Sequence, residues 1–189
     1  MPYSSFVFDE SLYKIIKFLQ PTTFLDLGAG AGKYGSIVKK INPAIKTIAI
    51  EIEKSYIGKF RLNDLYNDVW NISVNDLIKP AYYDLTYDVV MIDDAIEHLK
   101  KSDGINLLNF LIYRTRWIIL QFPYRFLQNS VGGYHSEAHI SVWGESDFQT
   151  FERTRLYKKE TQRLIVLKGF LEEHIAIEDV ALLMSEYEK

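Results

Sequence analysis

The sequence predicts an α/β fold, with a mostly parallel sheet and helices on both faces. Three observations carry this. Short apolar runs recur at 23–27, 47–52, 69–74, 88–92 and 117–121, the form taken by strands buried on both faces. Segments with helical periodicity separate them, as crossover connections do. The first run also breaks into glycines at alternate positions, Gly28, Gly30 and Gly32, before a helix-compatible run from Lys33.

The elements follow in order. Asp9 to Leu19 forms an amphipathic helix with Leu12, Ile15, Ile16 and Leu19 on one stripe. Asp9 is placed to cap it, and Pro21 ends it. Residues 23–27 are the first strand, and Gly32 to Lys40 the first crossover helix, stopped near Asn42-Pro43. Thr47 to Ile52 is a strand whose end carries Glu51. A helix over 53–62 and a strand over 69–74 come next. Asp88 to Ile92 is the fourth strand. Ser102 caps a helix to about Tyr113, and Trp117 to Gln121 is the fifth strand. Residues 122–142 are irregular, and such long loops tend to be functional. Ser146 and Gln149 make a capping box for a helix to about Arg155. Two closing strands are expected over 163–167 and 180–185.

Composition narrows the class. A chain of 189 residues with 48% hydrophobic and 25% charged residues suits one soluble globular domain, residues 1–189. The net charge of -3 gives no global basic footprint for nucleic acid. Cysteine is absent, which excludes disulfides and thiolate metal sites and fits a reducing compartment. No apolar run is long enough to span a membrane, and no signal-peptide pattern opens the chain. A cytoplasmic protein without membrane partners is therefore expected. The 13 Tyr and 11 Phe offer amphipathic surface for packing or substrate stacking.

The glycine turn brings backbone N–H groups close to a ligand, because no Cβ holds it away. A phosphate loop, G-x-x-x-x-G-K-[ST], fails twice: Leu27 stands at the first glycine and Tyr34 at the hydroxyl position. A dinucleotide pattern fits formally at Gly30-Ala31-Gly32-Lys33-Tyr34-Gly35. It would, however, set a pyrophosphate dianion near Asp26, and like charges repel at such distances. A cationic ligand suits an acid followed by this turn. A tight turn with no ligand is the bland alternative. Glu51, 19 residues beyond Gly32, is placed to accept both hydroxyls of a ribose. That holds for nicotinamide cofactors too, so Glu51 does not decide between them.

Asp26-Leu27-Gly28-Ala29-Gly30-Ala31-Gly32 resembles the first motif of the class I S-adenosylmethionine-dependent methyltransferases. After the fourth strand, Asp94-Ala95-Ile96-Glu97-His98-Leu99 resembles the D-x-x-E-H-L segment of many of them, of the type 11/12 kind. His139, four residues before Trp143, is similar to a further family pattern. The resemblance covers essentially the whole chain. It implies a Rossmann-like seven-stranded sheet, mostly parallel, closed by a terminal antiparallel strand pair. It implies that the backbone of Gly28 to Gly32 holds the methionine part of S-adenosylmethionine. Asp26 would set up its ammonium, Glu51 its ribose and Asp76 its adenine. The implied cofactor set also includes Ala29, Tyr34, Ile52, Asn75, Asp93 and Asp94, and the leading helix would lie over the site.

Glu97, His98 and His139 are the catalytic candidates, since a carboxylate and histidines can orient a nucleophile or accept its proton. The bland reading is that Glu97 and His98 satisfy backbone groups in their loop. The expected acceptor is a small molecule or a sugar hydroxyl. One alternative is metal-dependent: small-RNA 3′-terminal 2′-O-methyltransferases hold a divalent metal with an acid-x-x-Glu-His set and a distant His. Asp94, Glu97, His98 and His139 match in order, with Asp for the usual Glu. Neither that metal nor a nucleic-acid partner is the favoured expectation. The other alternative is a cofactor-binding regulatory subunit without transfer activity.

Overall fold

The computed structural model describes residues 3–151 and 153–185. Seven strands form one sheet: β1 Thr23–Leu27, β2 Lys46–Ile50, β3 Asp68–Trp70, β4 Tyr87–Asp93, β5 Thr115–Pro123, β6 Thr154–Lys159 and β7 Gln162–Lys168. Their spatial order is β3-β2-β1-β4-β5-β7-β6. The first five pair in parallel, while β7 is antiparallel to both β5 and β6. The chain therefore winds outward from β1 in one direction and from β4 in the other. Open α/β sheets bind ligands beyond the strand carboxyl ends at such a reversal.

Helices cover both faces. α1 Asp9–Leu19, α2 Lys33–Ile41 and α6 Ile177–Leu183 lie on one face. There Leu12, Ile15, Ile16, Val38 and Val180 meet Phe24, Val89, Met91 and Trp117 of the sheet. α5 Lys101–Ile112 covers the other, where Leu107, Leu108 and Leu111 meet Leu25, Val90, Ile118 and Ile165. The alternation of buried side chains along β1 and β4 feeds both cores, which is why these runs are continuously apolar. α3 Lys54–Lys59 and the single turn α4 Leu62–Leu65 sit between β2 and β3.

Several expected boundaries move. β3 stops at Trp70 instead of reaching residue 74, because Ser73 caps a 3-10 turn over Val74–Ile78. Asp9 is the first residue inside α1 and not its cap; its carboxylate instead pairs with Lys33 at 2.9 Å. α5 begins after Lys100, and Ser102 lies within its first turn. The helix expected from Ser146 to Arg155 is only a 3-10 turn, Glu145–Phe148, since the chain must reach the sheet edge as β6 from Thr154. The strand expected over 180–185 is helical in α6, with Val180 and Met184 buried in the α1 face. β6 had already taken the partner position beside β7. The antiparallel pair is thus β6 and β7.

Candidate functional site

A cavity of about 360 Å³ opens at the carboxyl ends of β1, β2 and β4, within the usual range for a small-molecule site. Gly28, Gly30, Glu51, Asn75, Asp93 and Asp94 line one part of it, with Ile52 at its edge. His98, Leu99, Lys100, Asp103, Glu137 and Ile140 line the part toward α5. The walls of this second part come from the segment after β4 and from the 124–143 connection.

The glycine turn is shaped from both sides. Gly28 has φ +79°, and a Cβ there would lie 2.8 Å from the Ala95 side chain. A side chain is thus excluded where the turn borders the cavity. Gly32, also at φ +79°, faces α4, where a Cβ would meet the Leu62 and Leu65 side chains. Gly35 receives the Tyr66 ring, whose atoms would stand 2.7 Å from a Cβ. The third glycine of the formal dinucleotide pattern therefore serves internal packing.

Asp26 lies beneath this turn, 1% exposed, and does not line the cavity. Its Oδ2 accepts a hydrogen bond from the Tyr66 hydroxyl at 2.5 Å, and that hydroxyl accepts from Gly35 N–H at 2.9 Å. Burial pushes the Asp26 carboxyl up to about 7, against the bond from Tyr66. Ala29, Gly32 and Tyr34 also sit off the cavity: Ala29 packs with Leu62 and Tyr66, and Tyr34 is buried in the α1 face. Asp76 is turned to its own helix start, accepting from Ser73 N–H and pairing with Lys79. None of these five is among the residues that line the cavity, and each has the structural contacts just described.

Glu51 does face the cavity. Its Oε2 accepts from Gly30 N–H at 2.8 Å and its Oε1 from Glu53 N–H at 2.7 Å. Each oxygen keeps a further lone pair, suited to a pair of hydroxyl donors. Burial raises the Glu51 carboxyl, while the two N–H groups lower it. Asn71 fixes the neighbouring backbone through the Glu51 and Ile52 carbonyls. Asp93 is 3% exposed and pairs with Lys33 at 2.7 Å. Lys33 also donates to Asp9 and to the Ser5 carbonyl. Ser5 N–H donates to Asp94 Oδ2 at 2.7 Å, so the N-terminal segment is held at the cavity from both sides of one residue. Lys33 and Ser5 carry no sequence signal; only the tertiary structure brings them here.

Glu97, His98 and His139 come together, with one potential ligand atom from each within 4.8 Å of the others. His139 Nε2 is 3.8 Å from Glu97 Oε1. His98 lines the cavity, whereas Glu97 and His139 lie behind it. His98 Nδ1 is 3.0 Å from the Ala138 carbonyl and His139 Nδ1 is 3.0 Å from the Phe126 carbonyl. A carbonyl only accepts, so both Nδ1 atoms carry a proton and donate it there. Burial lowers the His98 imidazole and raises the Glu97 carboxyl well above the usual range. Among the described residues, neither Glu97 oxygen accepts a hydrogen bond from another residue. Asp94 stands apart from this group, its Oδ2 taken by Ser5.

Trp143 explains why His139 arrives here. Its indole N–H reaches the Ile96 carbonyl and Ser141 Oγ, and its ring fills the notch left by Gly104. Ile140 and Ser141 N–H groups then bond to the Glu97 carbonyl at 2.9 and 3.1 Å. The other end of this loop latches across the cavity. The Tyr56 hydroxyl donates to Glu137 Oε1 at 2.8 Å, and Ser136 Oγ donates to Glu53.

By sequence, the chain matches no protein-family model and no curated protein. Solved structures share its fold. The N-terminal domain of EvdMO1 with SAH bound is 15% identical, with a TM-score of 0.66, over 88% of this chain and 83% of that one. That domain was also solved in the presence of SAH and D-fucose. The methyltransferase domain of bacterial CtHen1 is 15% identical, with a TM-score of 0.61, over 85% and 95%. An O-methyltransferase family protein from Burkholderia thailandensis is 10% identical, with a TM-score of 0.62, over 87% and 57%. The architecture is thus the Rossmann-like methyltransferase fold. No helix among the described residues is long and apolar enough to cross a membrane.

Proposed function

We propose that this chain is an S-adenosylmethionine-dependent methyltransferase acting on a hydroxyl of a small molecule or sugar. The observation that carries the reading is one continuous cavity running from the glycine turn and Glu51 to His98. The residues fit the cofactor: the turn is closed to side chains at Gly28, and Glu51 is held by backbone N–H groups with its outer lone pairs free. When bound, the cofactor supplies an activated methyl on a sulfonium. The chain's own part is to position the acceptor, since alignment accounts for much of the acceleration in such displacements. His98, neutral and with Nδ1 tied to Ala138, offers Nε2 as the acceptor of the hydroxyl proton. The SAH-bound EvdMO1 domain, and its study with D-fucose, support the same reading.

Glu97, whose oxygens accept no hydrogen bond from another described residue, favours a second reading, in which Glu97, His98 and His139 hold a divalent cation beside the acceptor. Imidazole and carboxylate ligands suit such an ion. Both readings are tested by calorimetric titration of S-adenosylhomocysteine with and without Mn²⁺, alongside Mn²⁺ alone. Cofactor binding with no metal binding supports the first. Metal binding lost in Glu97→Ala supports the second. No cofactor binding removes both.

A further inference from the structure

The part of the cavity toward α5 has an uneven balance of charge. Asp103 and Glu137 line it, against Lys100 alone among the described lysines and arginines. Lys100 is exposed, so water solvates its charge. His98 lines it with its Nδ1 committed to the Ala138 carbonyl at 3.0 Å. Lys33, the other cation near the turn, is already bound to Asp93 and Asp9. A concave site lined by carboxylates focuses a negative potential. It disfavours phosphate or carboxylate groups, because like charges brought together are a strong discriminator.

The same walls are also apolar. Ile140 lines the cavity yet is 58% exposed, and Leu99 lies beside it. Ile52, on the cavity's edge, is 56% exposed. Apolar side chains left uncovered around a concave site mark where a ligand's own apolar surface lies.

We propose that the methyl acceptor is an amphipathic molecule without phosphate or carboxylate: its apolar ring or chain covers Ile140 and Leu99, and its hydroxyl or amine groups face Asp103 and Glu137. This rests on the methyltransferase reading and narrows it. It disfavours an RNA terminus, whose phosphates would enter the acidic part.

The test begins with calorimetric titration of S-adenosylhomocysteine; failure there removes the methyltransferase reading itself. Hexylamine, hexyl β-D-glucoside and hexyl phosphate are then titrated onto the S-adenosylhomocysteine complex. The amine and the glucoside are expected to bind at least roughly tenfold more tightly than the phosphate. Asp103→Lys should narrow that gap several-fold, and Ile140→Ser should weaken all three hexyl probes, both read in variants that still bind S-adenosylhomocysteine. Equal or tighter binding of hexyl phosphate overturns the proposal. So does a gap unchanged by Asp103→Lys, or a complex that takes none of the three probes.

Discussion

The Tyr66 hydroxyl donates to Asp26 Oδ2 at 2.5 Å and accepts from Gly35 N–H, closing a buried chain beneath the glycine turn. It joins the end of β1 to the first turn of α2 through a residue 40 positions away. The acid of the first motif is thus bound to the turn through Tyr66 and is not among the residues that line the cavity.

Replacing Tyr66 with Phe removes a donor from Asp26 and an acceptor from Gly35, both buried. Unsatisfied buried groups cost about 1–3 kcal/mol each. For a chain of this size each kcal/mol lowers Tm by roughly 2–4 °C. Tyr66→Phe is therefore expected to melt at least about 4 °C below the wild type by differential scanning calorimetry. An unchanged Tm would show that the chain beneath the turn carries no stability.

Asp26 also sets a pH dependence. Its folded value of about 7 lies above the unfolded value of 3.8. The folded state therefore binds this proton more tightly, and the stability it contributes is whole below about pH 4 and lost as pH rises through 7. Asp26→Asn keeps the acceptor for Tyr66 without that loss. Its stability relative to wild type should rise between pH 5 and 8, by on the order of 2–4 kcal/mol. Urea unfolding at both pH values measures this. A difference that does not change with pH would contradict the assignment.

Gly28→Ala meets two obstacles, the positive φ and the Ala95 side chain at 2.8 Å. S-adenosylhomocysteine affinity should fall more than roughly tenfold, because the turn that borders the cavity must shift. Adding Ala95→Gly removes the collision but not the backbone cost of about 1–2 kcal/mol, so it should restore affinity only in part. Full restoration would mean that the collision alone matters.

Glu51→Ala deletes the carboxylate held by Gly30 and Glu53 N–H. Hydrogen bonds to a charged group contribute about 1.5–3 kcal/mol each. Loss of affinity for S-adenosylhomocysteine of roughly 10–100-fold is expected by calorimetry, with 2′,3′-dideoxy-S-adenosylhomocysteine losing little. Equal losses for both ligands would place Glu51 outside the ribose contact.

Strand identity and the glycine turn were legible from sequence because each depends on local chemistry. Buried parallel strands need continuous apolar runs, and glycine adopts the positive φ found at Gly28 and Gly32 at the least steric cost. The ends of elements were less legible. The edge partner of β7 was set by competition between 154–159 and 180–185, two segments with comparable local signals. Asp9, Ser102 and Ser146 were plausible caps whose side chains or backbones found other partners.

By itself the sequence determined the α/β class, the turn after β1, Glu51 at the end of β2 and the Glu97-His98 pair after β4. The tertiary structure decided which carboxylates face the cavity. Asp26 and Asp76 have the same chemistry as Glu51, yet Tyr66 claims one and Ser73 with Lys79 the other. It also decided that His139 meets Glu97, since Trp143 folds that loop back by docking on Gly104. Asp76 is claimed locally, but the choices at Asp26 and His139 rest on contacts between segments distant in sequence, which no local pattern specifies.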